Sequence, residues 1–125
     1  MAKPTPQERR RLKRRNLSYY LPIIDNETQQ VMGHLVDITP SGLMLDCKEP
    51  IAVNQNFNFR LDLMEELATK AFIVFDARSK WCRPDAIQPY LFNAGFQIIN
   101  ITPEDAEIVK HIAEKYGTLD NSFSF

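Results

Sequence analysis

The segment Phe57-Asn58-Phe59-Arg60-Leu61-Asp62-Leu63 alternates apolar and polar side chains without a break. A period of two belongs to a strand with one buried and one wet face, so Phe57, Phe59, Leu61 and Leu63 point to one side. Five further segments have the same β-rich character. Tyr19-Tyr20-Leu21-Pro22-Ile23-Ile24 runs into a turn at Asp25-Asn26-Glu27, and Gln30 to Asp37 reads as the returning strand of a hairpin. After the Thr39-Pro40-Ser41-Gly42 break, Leu43 to Cys47 forms another strand, which turns at Glu49-Pro50 toward the alternating segment. Met64 to Lys70 is a polar interruption, a loop or a single helical turn. Ala71 to Arg83 is a long strand with Phe72, Val74, Ala77 and Trp81 as inward positions, and those four share one face only if a β-bulge intervenes. Its partner is Leu91 to Ile99, reached through the turn chemistry of Pro84 to Pro89.

The period then changes. Thr102 is placed to cap a helix with Pro103 at its first position and Asp105 at its third, acids that suit the positive end of the helix dipole. Val109, Ile112, Ala113 and Tyr116 recur at helical spacing, and Gly117 is a fitting stop. Six short strands and one amphipathic helix predict a mainly β fold: a small six-stranded antiparallel β-barrel, closed against exposed edges, with a C-terminal α-helix over one opening. At 125 residues and 44% apolar content, one core is what the chain can bury. The expected plan is an arm over residues 1–15, the barrel and helix over 16–117, and a tail over 118–125. No apolar run approaches the roughly 20 residues of a membrane span, and the start of the chain is charged where a secretory signal is apolar. The expectation is a cytoplasmic protein with no membrane insertion. Cys47 and Cys82 lack CxxC spacing and a neighbouring histidine, and read as reduced thiols rather than metal ligands.

Charge divides the chain. Residues 1–15 hold seven basic and one acidic side chain, which leaves eight basic and fifteen acidic for the rest, formal charges of +6 and −7. The cluster Arg9-Arg10-Arg11-Leu12-Lys13-Arg14-Arg15 is mostly arginine. A planar guanidinium meets phosphates and purine edges in a way an ammonium does not. Such an arm either binds an anionic ligand or is a solvated tail.

Arg10-x-x-x-Arg14 before the first strand, then Asp37-Ile38-Thr39-Pro40-Ser41-Gly42 after the first hairpin, resembles the PilZ domain, with its RxxxR and (D/N)xSxxG signatures. Trp81-Cys82-Arg83 at the end of the long strand is a third point of likeness, where relatives often place an aromatic near the ligand. The resemblance extends from about Glu8 to Tyr116. It implies a bacterial receptor for the second messenger cyclic di-GMP, without catalytic activity and without a cofactor. The implied ligand-binding residues are Arg10, Arg14, Arg11, Arg15, Asp37, Thr39, Gly42 and Trp81, with an unidentified effector protein downstream. Thr39 stands where serine is usual, which keeps the hydroxyl and adds a methyl, and Pro40 removes an N–H from the turn.

The chemistry of that ligand fits these residue types. Two phosphates call for cations, and two guanines call for donors at O6 and N7 and a plane to stack on. Four-residue spacing puts Arg10 and Arg14 on one side of a helical turn, and equally Arg11 and Arg15. Counting from Glu8 favours the first pair, and counting back from Asp37 is compatible with the second. Asp37 suits the N1–H and N2 edge of guanine or an orienting arginine, Thr39 offers a hydroxyl, and Gly42 allows a turn or a close approach. Trp81 is a core residue or a stacking platform, and Arg83 a rim charge or a third phosphate contact. The rivals are a PilZ-like protein-interaction module that has lost nucleotide binding and a basic-arm nucleic-acid binder. The acidic body weighs against the latter. No Ser/His/Asp set, paired metal-ligand spacing or glycine-rich phosphate loop supports an enzyme.

Overall fold

The structure, a computed structural model, describes residues 21–63 and 70–116. In chain order these form β1 (Pro22–Asp25), β2 (Gln30–Thr39), β3 (Gly42–Cys47), β4 (Asn56–Asp62), β5 (Phe72–Pro84), β6 (Phe92–Asn100) and a helix α1 (Pro103–Tyr116). The strands close into a barrel in the order β1-β2-β3-β6-β5-β4, with every neighbouring pair antiparallel. Closure leaves no sheet edge open to other chains. This is the fold the alternation predicts, a six-stranded barrel with a C-terminal helix. The expected arm (1–15), tail (118–125), Tyr19, Tyr20, Gly117 and the 64–69 part of the polar interruption lie outside the described residues.

Local chemistry makes the turns. The Asp25 carboxylate accepts the Glu27 N–H at 2.9 Å, and Gln29, at φ 63°, donates its N–H to the Asp25 carbonyl at 2.7 Å. The carboxylate of Asp85 accepts the N–H groups of Ile87 (2.7 Å) and Gln88 (3.0 Å), turning β5 toward β6. Side chains of this type imitate a backbone turn. At the start of α1, the Thr102 hydroxyl accepts the Asp105 N–H at 3.2 Å, as the capping pattern requires. Lys70 Nζ donates to Asp105 Oδ1 at 2.6 Å, and this bond is the main cause that raises the Lys70 pKa.

The core fills from the inner face of each strand. Phe59 is fully buried, with its ring centroid 5.1 Å from Phe96, 5.4 Å from Phe57 and 6.1 Å from Phe75. The contacts with Phe96 and Phe75 are edge-to-face and that with Phe57 is stacked, and ring pairs of both kinds add to simple burial. Val109 and Ile112 of α1 join the same cluster, so the helix closes the core while packing against β2. Ala113 is half-buried, and the side chain of Tyr116 lies outside the described positions.

The inward set expected for β5 needs correction. Ile73, Phe75, Ala77 and Ser79 are buried, while Phe72 is 47% exposed and Val74 half-buried. Phe72-Ile73-Val74-Phe75 is apolar at every position, so alternation within it has no phase. The pairing with β4 supplies one: Ile73 lies opposite Leu61 and Phe75 opposite Phe59, and directly opposed residues share a face. Ser79, a hydroxyl in the core, is satisfied by the β3–β4 connection, donating to the Ala52 carbonyl at 2.7 Å and accepting the Gln55 N–H at 3.0 Å.

The Phe59→Ala variant is expected to lose about 3–5 kcal/mol of stability, and Thr102→Ala about 1 kcal/mol. Urea denaturation followed by circular dichroism measures both. Equal costs would contradict a core centred on Phe59.

Candidate functional site

Two bulges decide what the outside of the barrel presents. In the β2–β3 pairing, Leu35 lies opposite Leu45 and Asp37 opposite Met44, so Val36 is an extra residue. Leu35 and Ile38 both belong to the core, which a regular strand forbids for residues three apart. The bulge at Val36 resets the phase and turns Asp37 and Thr39 outward. The same device operates in β5. Ser79 lies opposite Phe96 and Trp81 opposite Gly95, leaving Lys80 as the extra residue. Ser79 therefore points in and Trp81 out, so Trp81 is not the inward residue that the apolar pattern suggests. A bulge does occur in this strand, but it separates Trp81 from Ala77 instead of bringing Phe72, Val74, Ala77 and Trp81 to one face.

The two resets line up. Asp37 opposes Met44, Met44 opposes Gly95, and Gly95 opposes Trp81, which makes one row across β2, β3, β6 and β5. Three inter-strand steps span roughly 14 Å along the sheet. On one side of this row runs His34–Asp46–Asn93–Arg83, and on the other Thr39–Gly42–Gln97–Arg78. The outer face here is polar and asymmetric, with acids on β2 and β3 and the cations Arg78, Lys80 and Arg83 on β5. Asp37, Met44, Asp46 and Asn93 are buried although they face away from the core.

The side chains in these rows are held in place. Asp37 Oδ1 accepts the Ile38 N–H at 3.0 Å. The Thr39 hydroxyl shares a 3.0 Å hydrogen bond with Ser41 Oγ and accepts the Ser41 N–H at 3.3 Å, so it stiffens the two-residue turn between β2 and β3. Gly42 is buried, and no described glycine has a positive φ, so the turn does not demand glycine there. At Gly95 the requirement is steric. A Cβ would collide with Cε2, Nε1 and Cζ2 of the Trp81 indole, which lies across the bare backbone of β6. The guanidinium carbon of Arg83 sits over the indole, 4.4 Å from its centroid. Beside this stack, Asn93 Nδ2 donates to Asp46 Oδ1 at 2.6 Å and to Asp85 Oδ2 at 3.0 Å, tying β6 to β3 and to the β5–β6 turn.

Asp46, Asp85, Asn93 and Gly95 escape a sequence reading. Their positions in β-rich or turn segments are legible, but the contacts among them cross strands. Cys47 and Cys82 are both reduced. Burial, then proximity to Cys82 and Asp46, pushes the Cys47 thiol up to about 12, so it stays a neutral packing group. Among the described residues no group of His, Cys, Asp and Glu is arranged to hold a metal ion, and no helix is long and apolar enough to cross a membrane. Arg10, Arg11, Arg14 and Arg15 lie outside the described residues.

The architecture is thus a closed six-stranded barrel with a C-terminal helix and a bulge-built row on its polar outer face. The chain belongs to the PilZ domain family, whose profile matches residues 8–115, a family of cyclic di-GMP-binding receptors that are generally non-catalytic. No curated protein matches the sequence. Among solved structures it is similar to the Bacillus subtilis inhibitor of motility (MotI/DgrA), with a TM-score of 0.66 and 13% identity over 78% of this chain. The match covers 46% of that longer chain, and the likeness at this identity is one of fold.

Gly95→Ala is expected to cost about 1–3 kcal/mol by overpacking the indole, and Trp81→Ala in the same chain to recover most of that loss. Thermal unfolding of the two single variants and the double variant measures the coupling. Additive losses would contradict the packing of Trp81 on Gly95.

Proposed function

We propose that this protein is a cytoplasmic cyclic di-GMP receptor that orders its arginine-rich arm on the ligand and so signals to an effector protein. The observation that carries the reading is the outer row that runs from Asp37 to Trp81. It joins the acidic residue of the second signature to the aromatic of the long strand on one face, within a chain of the PilZ family. In this reading Arg10 and Arg14 clamp the phosphates and stack on the guanines, with Arg11 and Arg15 as the alternative register. Asp37 orients an arginine or accepts from the guanine N1–H and N2 edge, and Gly42 lets the backbone approach closely. Trp81 bounds the far end of the row, with the Arg83 guanidinium over its indole.

Thr39 enters differently. Its hydroxyl already serves the turn with Ser41, so its contribution is to hold the turn in which Asp37 ends, with Ser41 as a second hydroxyl near the ligand. Ordering of the arm by the ligand changes the surface that a partner meets, which is how binding becomes a signal. The ligand must therefore favour the ordered arm, and it does so through charge that the free arm leaves solvated.

Calorimetric titration at near-physiological salt tests the reading, with GTP and a short DNA duplex as controls. Saturable binding of cyclic di-GMP alone is expected, with Arg10→Ala and Arg14→Ala each abolishing or severely weakening it while the fold is kept. A loss confined to Arg11→Ala and Arg15→Ala moves the clamp by one residue. Asp37→Ala is expected to weaken binding and leave its salt dependence. No binding of cyclic di-GMP would overturn the proposal in favour of a protein-interaction module, and binding of DNA instead would favour the basic arm as a nucleic-acid contact.

A further inference from the structure

Arg83 is the outermost layer of a stack. The backbone of Gly95 carries the indole of Trp81, and the guanidinium of Arg83 lies over that ring at 4.4 Å. A cation–π contact sets the guanidinium over the face of the ring, and its five N–H donors fan out in one plane toward the surroundings. Among the described residues Arg83 enters no ion pair, and its side chain is exposed. The nearest acid in sequence, Asp85, directs its carboxylate to Ile87, Gln88 and Asn93. The stack thus holds a planar fork of donors 4.4 Å above the indole, beside the outer row.

We infer that Arg83, oriented by Trp81, reads the O6 and N7 edge of a guanine in the bound dinucleotide and so adds to its selection over adenine. This deepens the cyclic di-GMP reading and rests on it. Guanine presents two acceptors, O6 and N7, on one edge, and a guanidinium fork donates to both. Adenine offers N7 beside an N6 donor, so the same fork meets one acceptor and one opposed N–H. A solvated arginine would lose rotamer freedom in making this contact, but the indole has already confined the Arg83 side chain. Lysine in the same place keeps the charge and loses the fork. A tryptophan facing outward over a glycine, next to an arginine two residues on, is explained by this role and by no demand of the core.

The test is calorimetric titration of the full chain, its Arg83→Lys variant and its Trp81→Ala variant with cyclic di-GMP and with cyclic di-AMP. Arg83→Lys is expected to lose about tenfold or more in cyclic di-GMP affinity, with little change for cyclic di-AMP, so that the preference for guanine falls. Trp81→Ala is expected to reduce the preference as well, because Arg83 then loses its orientation. Equal weakening toward both ligands would reduce Arg83 to a phosphate cation and overturn the inference while leaving the receptor reading intact. Unchanged affinity in Arg83→Lys would do the same. Failure of the unsubstituted chain to bind cyclic di-GMP overturns both.

Discussion

The constraint on which the rest of the structure depends is the in-and-out alternation of a β-strand, together with two of the bulges that interrupt it, at Val36 and Lys80. A six-stranded barrel has a small interior, and its inward positions are taken mainly by residues such as Phe59, Leu61, Leu43 and Phe96. With regular pairing, the run from Leu35 to Ile38 would place Asp37 on the core side. A carboxylate there would be deprived of water at a cost of several kcal/mol. The extra residue at Val36 turns Asp37 to the outer face, where it is buried away from the apolar interior, and keeps Ile38 in the core, and the extra residue at Lys80 turns Trp81 outward while Cys82 packs against the core. Bulges are therefore the means by which one short barrel keeps a dry interior and builds a polar outer row.

Each part of that row depends on a neighbour. The indole needs the bare backbone of Gly95, Arg83 needs the indole, and Asn93 needs both Asp46 and Asp85 to satisfy its buried amide. The row is rigid because it lies on four paired strands, and a site on strands holds its side chains more narrowly than one on loops. The arm that carries the chain's positive excess stands at the opposite extreme of composition. In the proposed receptor, a preformed face and a cationic segment of the same chain meet a ligand that neutralises charge as it binds.

Much of the fold was legible in the sequence. The strict alternation of Phe57 to Leu63, the turn residues at Asp25 and Pro84 to Pro89, and the Thr102 cap with its helical repeat lead directly to six strands and a helix. The phase of β5 was not legible, because four consecutive apolar residues satisfy either face and only the pairing with β4 chooses between them. A bulge was expected because Phe72 and Val74 are out of phase with Ala77 and Trp81, yet the bulge at Lys80 serves to turn Trp81 outward, and its position depends on Phe96 and Gly95, which belong to another strand. Asp37, Thr39, Gly42 and Trp81 announce themselves by motif. The trio of Asp46, Asp85 and Asn93 does not, since Asp46 and Asn93 are forty-seven residues apart and each looks like an ordinary outward residue of its own strand.

The most direct test of the central claim is an amide chemical-shift titration of the isotopically labelled chain with cyclic di-GMP. Binding across the bulge-built row predicts large shifts at Asp37, Thr39, Gly42, Gly95 and Trp81, including the single indole N–H, with residues 1–15 changing in step and β4 around Arg60 unmoved. Shifts centred on β1 and β4, or saturable binding that leaves Asp37 and Trp81 unchanged, would contradict it.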